Sequence, residues 1–189
     1  MKTVVFLDYE SINWILEDYD YELDYKDLLN RLRQMDQSRE IVKAFAYIPS
    51  IPTDPQFFLQ EIEDLKRAGF IVKTLQSGDL LIPNCDLAIS IDCLRSIYEI
   101  GIDEVILFSH SDSLVHLIET IKEKFVKTKM IHDKNYLADE LLESIEQFIP
   151  LKSLLNIPHE EEHPICEKMS RSVNEELDSY IYINGIDED

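Results

Sequence analysis

Three short polar segments hold the residues with the means to do chemistry. DYESIN offers Asp8, Glu10, Ser11 and Asn13. SHSDS offers Ser109, His110, Ser111, Asp112 and Ser113. Between them, NCDLAISIDC places Asp86 and Asp92 six residues apart. Carboxylates that converge on one place repel each other unless a cation sits among them. Oxygen donors with no cysteine pair nearby suit Mg2+ or Mn2+ better than zinc. A cation held this way can activate water and screen a phosphodiester for in-line attack.

Each residue also has a plainer reading. Asp8 can end a strand and cap the next element, and Asp86 can be a helix N-cap. Asp112 sits where a helix dipole favours an acid. Asp92 can be a solvated face residue, and a lone histidine such as His110 is more often a hydrogen-bonded structural group than a ligand. What sets the group apart is the position its members share, and that depends on the elements that carry them.

Those elements alternate. TVVFL (Thr3–Leu7), IVKAFAY (Ile41–Tyr47), FIVKT (Phe70–Thr74), VILF (Val105–Phe108) and KMIH (Lys129–His132) read as short buried strands. Helices are predicted over Tyr25–Met35, Gln56–Ala68 (stopped by Gly69), Asp86–Tyr98, from SHSDS to about Phe125, and over Asp139–Phe148. Glu17–Asp24 reads as a loop or irregular helix end, and PSIPTDP and Gln76–Asn84 as turn-rich connections. Strand–helix alternation predicts an α/β domain, a mainly parallel sheet between two helical layers. Ligands of such a sheet bind outside the carboxyl ends of the strands. Asp8 and SHSDS leave strands there, and the helix bearing Asp86 and Asp92 is expected to start at the same edge.

Composition narrows the class. At 189 residues and 45% hydrophobic content the chain suits one domain, assigned to residues 1–155, with an acidic tail over 156–189. No apolar run is long enough to span a membrane, and the N-terminus meets a charge too soon for a signal peptide. Cys85, Cys93 and Cys166 are odd in number and lack CxxC spacing, so neither a disulfide framework nor a zinc site is indicated and a reducing cytoplasm is expected. The net charge is −20, and even without the tail the body is acidic. A protein that grips nucleic acid through phosphate contacts alone carries a basic face, which this chain does not advertise. In the tail, SYIYI has the character of a segment able to join a sheet edge.

VVFLDYESIN resembles the opening strand of NYN-domain proteins, which are similar to PIN-type nucleases. That family shows a strand followed by D-x-x-N; here Asp8 matches the aspartate, Ser11 stands in the asparagine's place, and Asn13 follows two residues later. AFAYIPSIP with LKRAGFIVKT resembles its second strand, loop, helix and third strand. NCDLAISIDCL is similar to its paired-aspartate segment, matching Asp86 and Asp92, although Pro83 and Asn84 stand where a lysine often precedes it. VILFSHSDSL corresponds to the strand ending in S-G-D-S-D-F, with Ser111 and Ser113 at the two aspartate positions, His110 at the glycine and Asp112 at the serine between. LADELLESIEQFIPL resembles the closing helix, so the likeness runs in order over roughly residues 2–150.

The resemblance implies a metal-dependent nuclease, with RNA as the expected substrate. Asp8, Asp86 and Asp112 would hold Mg2+ or Mn2+, Asp92 would assist behind them, and Asn13 and Ser109 would orient water or a phosphate oxygen. The other reading is a catalytically degenerate NYN domain serving as a protein-interaction subunit, docked through its acidic tail. No membrane partner is expected, and assembly with a second copy is left open.

Overall fold

The computed structural model describes residues 1–49, 55–75 and 85–158, with Pro55 and Phe57 as backbone alone. Met1–Ile157 is a compact unit. The expectations placed on the tail, including SYIYI, and on PSIPTDP and Gln76–Asn84 fall wholly or largely outside the described residues.

Six parallel strands form one sheet in the order β3-β2-β1-β4-β5-β6. They are β1 (Lys2–Asp8), β2 (Glu40–Pro49), β3 (Ile71–Leu75), β4 (Glu104–Phe108), β5 (Lys127–His132) and β6 (Gln147–Pro150). The helices are α1 (Tyr9–Asp18), α2 (Tyr25–Met35), α3 (Pro55–Ala68), α4 (Cys85–Arg95), α5 (Val115–Glu123), α6 (Asp139–Ser144) and α7 (Leu151–Leu155). The chain builds outward from β1 to β3, then returns to the other side of β1 for β4 to β6. The reversal leaves a switch point between β1 and β4, where helices depart to opposite faces and a crevice opens at the carboxyl edge.

Alternation along the strands sorts two cores. Val5 and Leu7 face α1, α2, α3 and α7, whereas Val4 and Phe6 face α4, α5 and α6. Asp8 follows Val4 and Phe6 in that alternation, which directs it toward the α4 layer. The helix boundaries have local causes. Asp8 caps α1, and Asp24 caps α2 by accepting from the Lys26 and Asp27 amides at 2.8 and 3.0 Å. Gly69 ends α3 at φ +106°, a conformation that costs a glycine little.

At the amino edge, Glu104 is fully buried and accepts from Arg39 Nε at 2.7 Å, Lys129 Nζ at 3.0 Å and Thr3 Oγ1 at 2.9 Å. Burial alone would raise its pKa, but the bonds from Arg39 and Lys129 outweigh that and hold it below the ordinary carboxylate value.

Several elements depart from the sequence expectation: α1 and α7 are helices the spacing did not announce. The helix expected over 139–148 stops at Ser144, and Gln147–Pro150 is a sixth strand paired with β5. Leu141, Leu142, Ile145 and Phe148 fit helical spacing, and so short an apolar run does not distinguish helix from strand. Beyond Arg95, α4 continues as a π turn, Ser96–Ile100, that Gly101 ends at φ +67°.

Candidate functional site

Asp8 is the last residue of the central strand and is only 8% exposed. Its carboxylate accepts from the Ser11 amide at 3.5 Å, so it caps α1 as the plainer reading allowed. Capping does not satisfy it. Burial pushes its pKa up to about 7, the neighbouring charges of Asp86 and Glu10 push the same way, and the Ser11 amide offsets them only in part. Among the described residues, no lysine, arginine or histidine lies within ion-pair distance of Asp8. Cys85, buried beside it, reports the same local charge: burial, then Asp8, Asp86 and Glu10, raise its thiol to about 12.

Asp86 lies in the first turn of α4, one residue after the helix starts. Its Oδ2 accepts from Ser111 Oγ at 2.6 Å, and Ser109 Oγ in turn accepts from the Ser111 amide at 3.3 Å. Ser109 is buried, and its hydroxyl shapes the turn after β4. The structure therefore brings together Asp8, Asp86, Glu10 and the Ser109–Ser111 turn at the switch point.

The remaining expected residues lie elsewhere or are already engaged. Asp92 is drawn over β2 and β3, where its Oδ2 accepts from Tyr47 Oη at 2.7 Å and pairs with Lys73 Nζ. Across the sheet, Asp8 is in register with Tyr47, and Tyr47 with Lys73, so Asp92 stands beside the outer members of that row with its charge matched. Its place is behind the pair, held by Tyr47 and Lys73. Asp112 opens a 3-10 turn and is exposed. Asn13 donates to Glu17 Oε1 at 2.8 Å on its own helix and lines a separate groove with residues of α2 and α3.

His110 has the hydrogen-bonded role its solitude implied, in a cluster that sequence reasoning did not assemble. Ser11 Oγ lies 2.5 Å from His110 Nδ1 and 3.1 Å from His132 Nε2, and accepts from the His110 amide at 3.1 Å. Donor accounting fixes the protons. His132 Nδ1 faces the Asp133 carbonyl at 3.3 Å and must donate to it. Burial lowers the His132 pKa to about 4, so near neutral pH its Nε2 is a lone pair that accepts from the Ser11 hydroxyl. Ser11 has no second proton, so His110 Nδ1 must donate to it. Two of the residues that depart from the family pattern, Ser11 for asparagine and His110 for glycine, thus touch each other. His132 closes β5, and inspecting the end of KMIH as the other strand ends were inspected would have found it.

No group of three or more His, Cys, Asp or Glu side chains among the described residues is arranged to hold a metal ion. Two carboxylates that raise one another's cost nevertheless suit a hydrated magnesium-like ion, which usually takes one or two carboxylates and keeps several waters.

The chain is an α/β protein whose open parallel sheet carries an acidic carboxyl edge at its switch point. The NYN domain family profile matches residues 2–154, and the chain belongs to that family. Domains of this kind generally use divalent metals and bind nucleic acid. The fold is similar to that of a protein of unknown function from Vibrio parahaemolyticus RIMD 2210633, known from a crystal structure. The TM-score is 0.64 at 21% identity, over 81% of this chain and 94% of that one. No curated protein matches the chain.

Proposed function

We propose that the chain is a metal-dependent nuclease acting on RNA, with Asp8 and Asp86 holding a hydrated Mg2+ or Mn2+. The observation that carries the reading is the contrast among three buried carboxylates. Glu104 has two cations and Asp92 has Lys73, whereas among the described residues Asp8 has only like charges beside it. A buried carboxylate without a counter-charge is costly, and a divalent ion would relieve that cost. The bound ion would supply charge screening for a phosphodiester and a lowered pKa for water. Ser111 orients Asp86, Ser109 shapes the turn that presents Ser111, and Glu10, whose charge reaches Asp8, is a further carboxylate that a cation could recruit; Asp112, one residue beyond Ser111, is another.

A degenerate domain is the second reading, favoured by the serines at the two aspartate positions of the turn. Cleavage of labelled RNA and single-stranded DNA with Mn2+, run beside Asp8→Asn, separates them. The nuclease reading expects metal-dependent cleavage that Asp8→Asn abolishes. Absence of cleavage by the natural chain, with activity appearing in Ser111→Asp, would establish the degenerate one.

A further inference from the structure

Trp14 is the chain's one tryptophan, and it is 40% exposed on α1, six residues after Asp8. Single exposed hydrophobic residues are ordinary, so exposure alone argues nothing. Its surroundings do. The indole packs edge-on against the Tyr136 ring at 5.5 Å between centroids and lies 6.0 Å from the His110 ring. His110 lies 5.3 Å from His132, which is 6.2 Å from Tyr136. Four rings from α1 and the segments that follow β4 and β5 thus form one aromatic wall. The Ser11 hydroxyl ties both histidines into it. The wall and the carboxylate pair share one turn, because His110 precedes the Ser111 that holds Asp86.

We propose that Trp14 is a base-stacking platform, held by His110 and Tyr136, for an unpaired nucleotide beside the Asp8–Asp86 pair; this deepens, and rests on, the nuclease reading. The charge of the chain supports it. At −20 net, the protein cannot draw its affinity mainly from phosphate contacts, which need a basic face. Stacking on an aromatic face needs none, tolerates any base, and requires that the base be free of a duplex. Binding should therefore weaken with added salt far less than is usual for nucleic-acid proteins.

The single tryptophan makes the test direct. Indole fluorescence is titrated with a single-stranded oligonucleotide, the matching duplex and an abasic strand of equal length, in chelator and again with Mn2+ in the Asp8→Asn variant. The expected result is quenching by the single strand alone. By a second method such as anisotropy, affinity should fall roughly 5- to 100-fold in Trp14→Ala and be largely kept in Trp14→Phe. Far-UV circular dichroism and a melting curve confirm that both variants are folded. No quenching under either condition, equal quenching by the abasic strand, or unchanged affinity in Trp14→Ala would overturn the proposal. Base-dependent quenching by a chain that cleaves nothing would leave the platform standing and remove the nuclease reading. Metal-dependent cleavage with the KM unchanged in Trp14→Ala would do the reverse.

Discussion

Asp8 carries two duties whose energies pull apart, and substitutions can separate them. As a cap it can be replaced by asparagine at little cost, whereas alanine should lose about 1 kcal/mol. As a buried acid near 7 in the folded chain and about 3.9 in the unfolded one, it makes the folded state bind the extra proton between those values. Its ionised form therefore destabilises the metal-free fold progressively as pH rises from about 4 to 7, by up to roughly 4 kcal/mol. Denaturant unfolding in chelator should show Asp8→Asn gaining on the natural chain across that window and levelling above it. With saturating Mn2+ the order should reverse, because a ligand of the folded state stabilises by mass action. A stability difference that ignores pH would mean the carboxylate is not buried as described. His132 has the opposite sign: its folded value, about 4, lies below the unfolded value near 6.5, so the stability it contributes is full above about 6.5 and lost as pH falls toward 4. The proton positions can be read directly. Nitrogen-15 spectra should place the neutral His110 and His132 protons on Nδ1. Ser11→Ala should release His110 to the mixture of tautomers usual for a free imidazole, and a free-imidazole spectrum in the natural chain would refute the donor accounting.

At the scale of elements, what was legible follows from which signals are local. The five strands read from short apolar runs are all present, and Asp8 and SHSDS do leave strands at one edge because the sheet is parallel. Two kinds of feature escaped. Gln147–Pro150 is a short edge strand whose residues also fit a helix, and only its pairing with β5 decides the matter. Charge matching is the other. Asp92 looks like a free helix-face acid until β2 and β3 bring Tyr47 and Lys73 against it, from 45 and 19 residues away. The Ser11–His110 contact spans 99 residues, beyond any spacing rule. The same long-range matching makes the amino edge brittle. Glu104→Gln should cost about 3–5 kcal/mol by leaving Arg39 buried without its partner, measurable as a lowered denaturation midpoint. A cost below 1 kcal/mol would show that water reaches Arg39 when its partner is lost.

Taken whole, the chain is an acidic molecule with a compact unit through Ile157, and no helix among the described residues is long and apolar enough to cross a membrane. A chain ending after Ile157 is expected to fold cooperatively and melt close to the full-length protein; a large loss of stability would place the acidic segment in the core. The position of β1 sets the order in which the molecule can be made. Of the six strands it is made first, yet it lies in the middle of the sheet, and its β4 edge stays open until Glu104–Phe108 has been synthesised, about a hundred residues later. Such distant pairing is intrinsically slow and leaves hydrophobic strand edges exposed meanwhile. β1 is wholly apolar from Val4 to Leu7, so the nascent chain carries an adhesive edge until β4 has been made. Asp8 and Asp86 likewise stay apart, and a partly made chain has no assembled carboxylate pair with which to capture metal. Whatever the site does, it can begin only once β4 and the turn that follows it have been made.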